Sequence, residues 1–320
     1  MLLFVAAGAP AQNLFEVDVI SGNIYEFATN GTPTTFYSGI QNGSWSMAFD
    51  RSGNLFVASS TNILEINPAG ITNIFATGIF PEDLAFNCAG DLFVSDDLSN
   101  NIYEYAPDGV KSIFVSGLNR PGGLAFDRAG NLFVADQGSN HIFEFTTNGA
   151  QSIFASNIDF CLGLAFDGAG NLFEADYLSG HIYKFSTNGA PSTFASGLDG
   201  PVGLVFNAAG DLFEADSLSH TIFEFAPDGT QTTFYSNFDE PPFSEPTALA
   251  FQPITQLTPA PCSNAFQFTV SMPSPYFSAI IEASTNLVNW TAAYTNTPPF
   301  AYTDTTAKVN CRFYRAQVAQ

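Results

Sequence analysis

The chain has three histidines, and all three fall in corresponding parts of a repeated pattern. His141, His181 and His220 lie in short polar segments between two apolar runs, in three consecutive repeats. Imidazole is a common zinc ligand and general base, so such a cluster on one face would suit metal binding or proton transfer. The alternative is structural, because Asn23 and Asn101 hold the corresponding place in other repeats. Spacing favours the structural interpretation, since equivalent positions of neighbouring repeats lie about 10 Å or more apart.

Carboxylates recur at two positions of the repeat. The first position ends a strand-like run and holds Asp18, Asp96, Asp136, Asp176 and Asp216, with Ser59 in the remaining copy. The second precedes a glycine-containing turn and holds Asp50, Asp127 and Asp167, with Asn87 and Asn207 as substitutes. We expect these side chains to accept hydrogen bonds from backbone N–H groups of the following turn. A ring of carboxylates could also hold calcium loosely, so calcium is the candidate cofactor.

A third carboxylate position is unusual because it lies inside an apolar run. Three copies carry Val57, Val94 and Val134 there, and the other three carry Glu16, Glu174 and Glu214. A buried carboxylate must find a donor or a cation, or else hold a proton with a raised pKa. Lys184, which replaces the usual glutamate of the next run, is a candidate partner. The alternative is partial exposure, or pairing with nearby hydroxyl groups.

These residues are positioned by a unit of about forty residues that recurs six times. The clearest copy, from Gly123 to Ser156, reads GLAFDRAGNLFVADQGSNHIFEFTTNGAQSIFAS. It contains four runs of strand character separated by Gly- and Asn-containing turns. Short connections predict an antiparallel meander, and apolar residues on both faces predict a sheet that is covered on both sides. Both features are typical of a β-propeller blade, so the predicted fold is all-β with six blades.

The order of the runs predicts how the ring closes. The first copy starts at its second strand, Asn13–Asp18, and has no first strand. The missing piece stands at the other end, where Pro246–Phe251 resembles a first strand without a second strand after it. We therefore expect this late strand to complete blade one, which leaves no open sheet edge.

The pattern GLAFDxxGNLFVADxxxNHIFEF resembles the NHL repeat and the related six-bladed SMP-30/gluconolactonase-like and streptogramin-lyase-like propellers. The resemblance covers residues 13 to 252. It implies either a binding scaffold or a metal-dependent lactonase, hydrolase or lyase, because the SMP-30 type places Glu, Asn and Asp around a metal in the central channel. Here the channel-facing strands contain no matching set, although Glu82 and Asp83 stand near the expected mouth. The His and Glu pair of the lyase pattern has no counterpart either.

The turns between blades vary most, and variable loops on a rigid ring are where recognition residues concentrate. The ligand-face candidates are Trp45, Phe80, Glu82, Arg120, His141, Phe160, Tyr177, His181 and His220, together with the insert Asn237–Glu245. No catalytic set is visible, so the predicted function is a binding or scaffold propeller for a protein, carbohydrate or small molecule. The alternative is a metal-dependent lactonase, hydrolase or lyase.

Composition bounds the partners and the compartment. Thirty Asp and Glu stand against eight Lys and Arg, a net charge of −22, which repels nucleic acid and anionic membrane surfaces. The apolar run Leu2–Ala7 followed by Ala9-Pro10-Ala11 favours residues 1–11 as a signal-peptide remnant, and hence a secreted or cell-surface protein. The alternative for this segment is a disordered tail. No apolar stretch is long enough to span a membrane.

The repeat stops after Pro253, which predicts two domains. Residues 12–253 form the propeller, and residues 254–320 form a small all-β module, expected to be a sandwich. Four strand-like runs are predicted there: Ala265–Met272, Ser278–Ala283, Trp290–Tyr294 and Arg312–Val318. Cys262 and Cys311 bracket the module, so we expect a disulfide between them in an exported protein. We expect Cys88 and Cys161 to be unpaired.

Overall fold

The computed structural model describes residues 12–40, 45–158, 160–236 and 245–253, and the backbone of six strands between 258 and 318. The chain divides into two compact units. The first, Asn13–Gln252, contains all the repeats, and the second includes the strands that follow Pro253. All the secondary structure described consists of β-strands and the turns between them. No helix that could span a membrane occurs in these ranges.

The first unit consists of six four-stranded antiparallel sheets, as the repeat predicts. Blade one contains β1 (Leu14–Asp18), β2 (Asn23–Phe27), β3 (Pro33–Ser38) and the late strand β24 (Pro246–Phe251). Blade two contains β4 (Met47–Phe49), β5 (Leu55–Ser59), β6 (Asn62–Ile66) and β7 (Thr72–Thr77). Blade three contains β8 (Pro81–Phe86), β9 (Leu92–Asp96), β10 (Asn101–Tyr105) and β11 (Lys111–Ser116).

The other three blades follow the same plan. Blade four contains β12 (Pro121–Phe126), β13 (Leu132–Asp136), β14 (His141–Phe145) and β15 (Gln151–Ser156). Blade five contains β16 (Cys161–Phe166), β17 (Leu172–Asp176), β18 (His181–Phe185) and β19 (Pro191–Ser196). Blade six contains β20 (Pro201–Phe206), β21 (Leu212–Asp216), β22 (Thr221–Phe225) and β23 (Gln231–Tyr235).

Ring closure occurs through β24, as the sequence predicts. This strand pairs antiparallel with β1, so that Leu14 faces Phe251 and Glu16 faces Leu249. The Thr247 hydroxyl also donates a hydrogen bond to the Val17 carbonyl at 3.1 Å. The innermost strands then contact one another around the whole ring. Closure removes the free inner edge that blade one would otherwise expose.

The second strand of every blade is buried along its whole length, because it lies in the middle of its sheet and between two neighbouring blades. This explains why these strands are apolar on both faces instead of alternating. The phenylalanine content has a related origin. In blade four, the Phe133 ring meets Phe154 of its own blade and Phe166 of blade five edge to face, at 4.9 Å for both pairs of ring centroids. The same arrangement recurs in every blade.

Glycine at the start of the innermost strands permits close approach around the axis. A Cβ atom at Gly163 would stand 2.1 Å from the Val202 carbonyl oxygen, and one at Gly203 would stand 2.4 Å from the Thr247 oxygen. Any larger residue at these positions would push neighbouring blades apart. Glycine is therefore a packing requirement where blade five meets blade six and where blade six meets blade one, whereas Ser46, Asp83 and Ala248 hold the same position in blades two, three and one.

The second unit contains two three-stranded sheets, β25-β26-β29 and β28-β27-β30 in spatial order. Their strands are β25 (Thr258–Ala260), β26 (Phe266–Val270), β27 (Ala279–Ser284), β28 (Thr291–Asn296), β29 (Phe300–Asp304) and β30 (Phe313–Val318). Sequence analysis missed β25 and β29. Residues 1–11, Cys262 and Cys311 lie outside the described residues, so the signal-peptide remnant and the disulfide stay predictions. Cys88 is exposed, Cys161 is buried, and both are free.

Candidate functional site at the mouth of the central channel

A cavity of about 130 Å³ lies in the central channel. Its walls come from the innermost strands of all six blades and from the residues just before β4: Trp45, Ser46, Met47, Glu82, Asp83, Leu84, Leu124, Leu162, Gly163, Leu164, Val202, Gly203, Leu204, Ala248 and Leu249. Among the described residues that line the cavity, Glu82 and Asp83 of blade three are the charged ones. Blades four, five, six and one contribute apolar walls. The cavity therefore has an acidic side and an apolar side.

Asp83 is held by hydrogen bonds that connect three blades. Its Oδ1 accepts from the Ser46 hydroxyl of blade two at 2.5 Å and from its neighbour Leu84 N at 2.8 Å. Its Oδ2 accepts from Leu124 N of blade four at 2.6 Å. Burial raises the pKa of Asp83 to about 6, although these hydrogen bonds pull it down. Asp83 therefore fixes the geometry of the acidic side, and its oxygens are already engaged.

Glu82 has a different environment from Asp83. Burial raises its pKa to about 7, and the nearby carboxylates of Asp97 and Asp83 raise it further against the opposing charge of Arg120. Its carboxyl group makes no hydrogen bond to any residue that the structure describes. A carboxyl group that titrates near neutral pH beside a cavity can bind a cation or exchange a proton with a ligand. Glu82 is thus the chemically available group of the channel.

The rim of the mouth is formed by residues that precede the innermost strands. Trp45 and Phe80 are 40% and 45% exposed, respectively. Arg120 pairs with Asp97 at 3.4 Å, and the Phe160 ring lies 5.9 Å from that of Tyr177. Of the sequence-predicted ligand-face residues, Trp45 and Glu82 line the cavity, and Phe80, Arg120 and Phe160 each directly precede an innermost strand. The insert 237–244 lies outside the described residues.

Two rim residues adopt a strained backbone. Arg120 and Phe160 have φ values of 57° and 50°, and Gly200 has a φ of 76° at the equivalent place. A left-handed conformation suits glycine and costs a larger residue about 1 kcal/mol or more. Arginine and phenylalanine are thus kept at positions where glycine would fit without strain. Such outliers concentrate at binding and catalytic sites, which supports a role for these side chains at the rim.

The histidines are not gathered into one site. His141 stacks on Phe143 and His181 stacks on Tyr183, in both cases with ring centroids 5.6 Å apart. The Nδ1 atom of His181 lies 2.8 Å from the Ser179 carbonyl oxygen. His220 lies one residue before its strand, with a φ of 56°, so it matches the turn residue that precedes His141 and not His141 itself.

The repeated aspartates organise turns, as expected, and the structure adds a second role. Asp18 Oδ1 accepts from the backbone N–H groups of Ile20 and Ser21 in the following turn. Asp136 and Asp216 also accept from the interblade turns, through Asn119 N at 2.6 Å and Asp199 N at 2.8 Å. These carboxylates therefore anchor the loops that build the channel mouth. Sequence analysis missed this contact because it joins residues seventeen positions apart.

Glu16, Glu174 and Glu214 lie away from the cavity lining, in the interfaces between blades. The expectation that Lys184 pairs with Glu174 is wrong. Its ammonium group lies 3.5 Å from Asp167 and over the Phe173 ring, on the opposite face of the sheet. Both Glu174 carboxyl oxygens are buried without a hydrogen-bond partner among the described residues.

The metal site that the resemblance implies has no matching ligand set in the part of the chain that the structure describes. No group of three or more His, Cys, Asp or Glu side chains is placed to hold an ion there. The oxygens of Asp83 are already engaged by donors from three blades. No calcium or zinc ligand can be assigned from these residues.

Comparison with known proteins gives fold relatives only. No family model matches the sequence, and no curated protein matches it. Among solved structures, a chain of a nidogen/laminin complex matches with a TM-score of 0.67 at 17% identity, covering 75% of this chain and 98% of that one. A streptogramin B lyase matches with a TM-score of 0.55 at 14% identity, covering 80% of each chain.

A third relative has a title that refers to binding. An auxiliary nutrient binding protein from Bacteroides thetaiotaomicron matches with a TM-score of 0.55 at 13% identity, covering 69% of this chain and 64% of that one. These proteins are named for different functions, and the identities are low, so the likeness concerns architecture alone. The chain is a closed six-bladed β-propeller of the kind these structures share, as the resemblance to NHL, streptogramin-lyase and gluconolactonase-like propellers predicts.

Proposed function

We propose that this protein is a binding propeller that takes a ligand at the mouth of its central channel. The observation that carries the proposal is the two-sided cavity, in which Glu82 is an uncommitted carboxyl group opposite an apolar wall. A concave site with a small number of placed polar groups is typical of ligand sites. The strained rim residues Arg120 and Phe160 add contacts at the entrance.

The cavity limits the part of the ligand that enters. A volume of about 130 Å³ is close to that of a cavity that holds one benzene-sized molecule, so a small group enters while the rest of the ligand lies on the rim. Glu82 favours a group that donates a hydrogen bond or carries positive charge, such as an ammonium or a sugar hydroxyl. Trp45 and Phe80 provide exposed aromatic surface on which an apolar or sugar ring can stack.

We propose further that the protein is exported. The support is the apolar segment that precedes Ala9-Pro10-Ala11, the low content of Lys and Arg, and the pair of cysteines at the ends of the C-terminal module. In this interpretation the module of residues 254–320 attaches or displays the propeller at the cell surface. Cell fractionation of a strain that expresses the full gene tests the compartment, and recovery in the cytosol alone would contradict it.

Calorimetric titration tests the binding proposal. The full chain is titrated with a panel of alkylamines, monosaccharides and short peptides, and the variants Glu82→Gln and Trp45→Ala are titrated in parallel. Asp108→Asn is the matched control, because it removes an exposed carboxylate in a turn at the other end of the blade. We expect Glu82→Gln to weaken binding at least tenfold and the control to leave it unchanged. Equal binding by both variants would refute the site.

The alternative function is a lactonase, hydrolase or lyase at the same place. The observation that favours it is the raised pKa of Glu82, since a group that titrates near neutral pH suits general acid–base work. Incubation of the purified protein with a panel of lactones, with and without added divalent cations, tests this alternative. Turnover that is lost in Glu82→Gln would replace the binding proposal.

A further inference from the structure

Three interfaces between blades contain a carboxyl group where the other three contain valine. Glu16, Glu174 and Glu214 are each 0% exposed, and none of their carboxyl oxygens has a hydrogen-bond partner among the described residues. Their counterparts, Val57, Val94 and Val134, are 0% exposed as well. An ionised carboxylate in such a place has lost its hydration without replacement, which is strongly unfavourable.

The three glutamates lie in consecutive interfaces. Glu16 points to the same face of β1 as Leu14, which packs with Phe213 and Ala215 of blade six. Glu214 points to the same face of β21 as Leu212, which packs with Phe173 and Ala175 of blade five. Because Phe173 faces blade six, Glu174 faces the opposite neighbour, blade four.

The titratable groups around each glutamate supply no positive charge. Glu16 has Asp18 on its own strand and Tyr25 and Tyr235 on β2 and β23. Glu174 has Asp176 on its own strand and Tyr183 opposite on β18. The Cys161 thiol on β16 lies near Glu174 outside hydrogen-bond geometry, and it opposes part of the rise in the pKa of Glu174. Glu214 has Asp216, and the residues that face it on β20 and β22 are Leu204 and Phe223.

The apolar residues of the neighbouring blades add no charge either. The phenylalanine and alanine residues that face Glu16 and Glu214 from β21 and β17 cannot stabilise an anion. Burial, reinforced by the aspartate two positions along, raises the pKa of Glu16 and Glu214 well above the usual value, and that of Glu174 to about 8. The geometry and the electrostatics therefore both favour the neutral form.

We propose that Glu16, Glu174 and Glu214 carry protons in the folded ring and make the half formed by blades five, six and one loosen as the pH rises. Blades two, three and four have valine at these positions. The carboxyl groups of blade three with raised pKa values, Asp83 at about 6 and Glu82 at about 7, respond over a lower pH range, so the two halves differ above about pH 7. The inference goes beyond ligand binding and does not depend on it. It has a consequence for the channel, because the residues paired with the three glutamates, Leu249, Leu164 and Leu204, line the cavity.

The sign of the effect follows from linkage. Below the usual glutamate pKa of 4.5, the three glutamates are protonated in both the folded and the unfolded states, so their ionisation does not reduce stability. Above it, the unfolded state ionises while the folded state retains its protons, so stability falls with rising pH. For Glu174 the fall continues until about pH 8 and then stops. The half-ring is thus most stable in acid.

Hydrogen exchange of the full chain, followed by mass spectrometry between pH 7 and 9, tests the proposal, because Asp83 and Glu82 of blade three titrate at or below pH 7. The protection factors of β1, β17 and β21 are expected to fall by up to tenfold per pH unit relative to those of β5, β9 and β13. The triple variant Glu16→Gln/Glu174→Gln/Glu214→Gln should abolish the difference in pH dependence. The matched control, Glu65→Gln/Glu104→Gln/Glu144→Gln, removes as many carboxylates from half-buried positions and should retain it.

Infrared spectroscopy of the wild type is a second test that does not require the triple variant to fold. A carbonyl band of neutral carboxyl groups is expected at pH 6, and Glu82 and Asp83 also contribute to it. The part of the band that comes from Glu174 should be lost in the single variant Glu174→Gln. Parallel loss of protection in both halves of the ring, or the absence of the neutral-carboxyl band, would overturn the inference. A ring that loosens in this way without any detectable ligand would leave the inference intact and refute only the binding proposal.

Discussion

Replacing Glu174 by valine is expected to stabilise the protein at neutral pH and destabilise it in acid. The chain itself provides the precedent, because Val57, Val94 and Val134 fill the equivalent sites with no exposure. Each of these valines pairs with an apolar cavity-lining residue on the innermost strand: Met47, Leu84 and Leu124, respectively. Glu174 likewise pairs with Leu164. The surroundings of Glu174 are therefore already suited to an apolar side chain.

The magnitude follows from the proton that Glu174 must hold. A pH of 7 lies about 2.5 units above the usual glutamate pKa of 4.5 and below the folded-state pKa of Glu174, which is about 8. Each unit corresponds to about 1.4 kcal/mol, so the wild type is penalised by roughly 3 kcal/mol. Valine is smaller than glutamate, so the substitution leaves a small cavity that costs about 1 kcal/mol and offsets part of the stabilisation. The net stabilisation at pH 7 is about 2 kcal/mol.

Thermal unfolding followed by circular dichroism at pH 4.5, 7 and 9 provides the assay. With about 2–4 °C per kcal/mol for a unit of this size, Tm should rise by about 4–8 °C at pH 7 and by more at pH 9. At pH 4.5 the penalty has nearly vanished, so the variant should melt slightly below the wild type. A Tm that falls by the same amount at all three values would refute the reasoning and indicate that Glu174 makes a favourable contact.

Three further predictions concern the ring and its packing. Truncation of the chain after Glu245 removes β24, so blade one loses its innermost strand and calorimetry should show a loss of cooperative unfolding. An unchanged melting profile would contradict ring closure. Gly203→Ala places a Cβ atom 2.4 Å from the Thr247 oxygen and should lower Tm by at least 5 °C, whereas Gly168→Ala, with open space around it, should change Tm little. In peptide mass mapping, Cys88 should react with iodoacetamide in the native protein, whereas Cys161 should react only after unfolding. Cys262 and Cys311 should react only after reduction, and labelling of Cys262 before reduction would exclude the predicted disulfide.

The fold was largely predictable because its determinants are local and repeated. The turn residues, the Phe spacing and the displaced strand Pro246–Phe251 each predict a closed ring without any knowledge of long-range contacts. Boundaries in the C-terminal unit were less predictable, since β25 and β29 are short strands that no repeat identifies. The predicted sandwich packing of its two sheets remains a prediction.

The site was less predictable, because it depends on contacts across blades. Sequence analysis identified Glu82 and Asp83 at the channel mouth but could not separate the engaged carboxylate from the available one. That distinction arises from Ser46 of blade two and Leu124 N of blade four, which are far from Asp83 in sequence. The positive φ values of Arg120 and Phe160 were also invisible, because neither residue type signals a left-handed turn.

The fluorescence of Trp45 tests the central claim most directly. The chain has two tryptophans, so in the full-length variant Trp290→Phe the signal comes from Trp45 alone, at the rim of the cavity. Titration of this protein with the panel of alkylamines, monosaccharides and short peptides should give a saturable change for at least one compound. The change should be lost in Glu82→Gln and retained in Asp108→Asn. A ligand that binds by calorimetry without altering Trp45, or that binds equally after Glu82→Gln, would place recognition elsewhere and contradict the account.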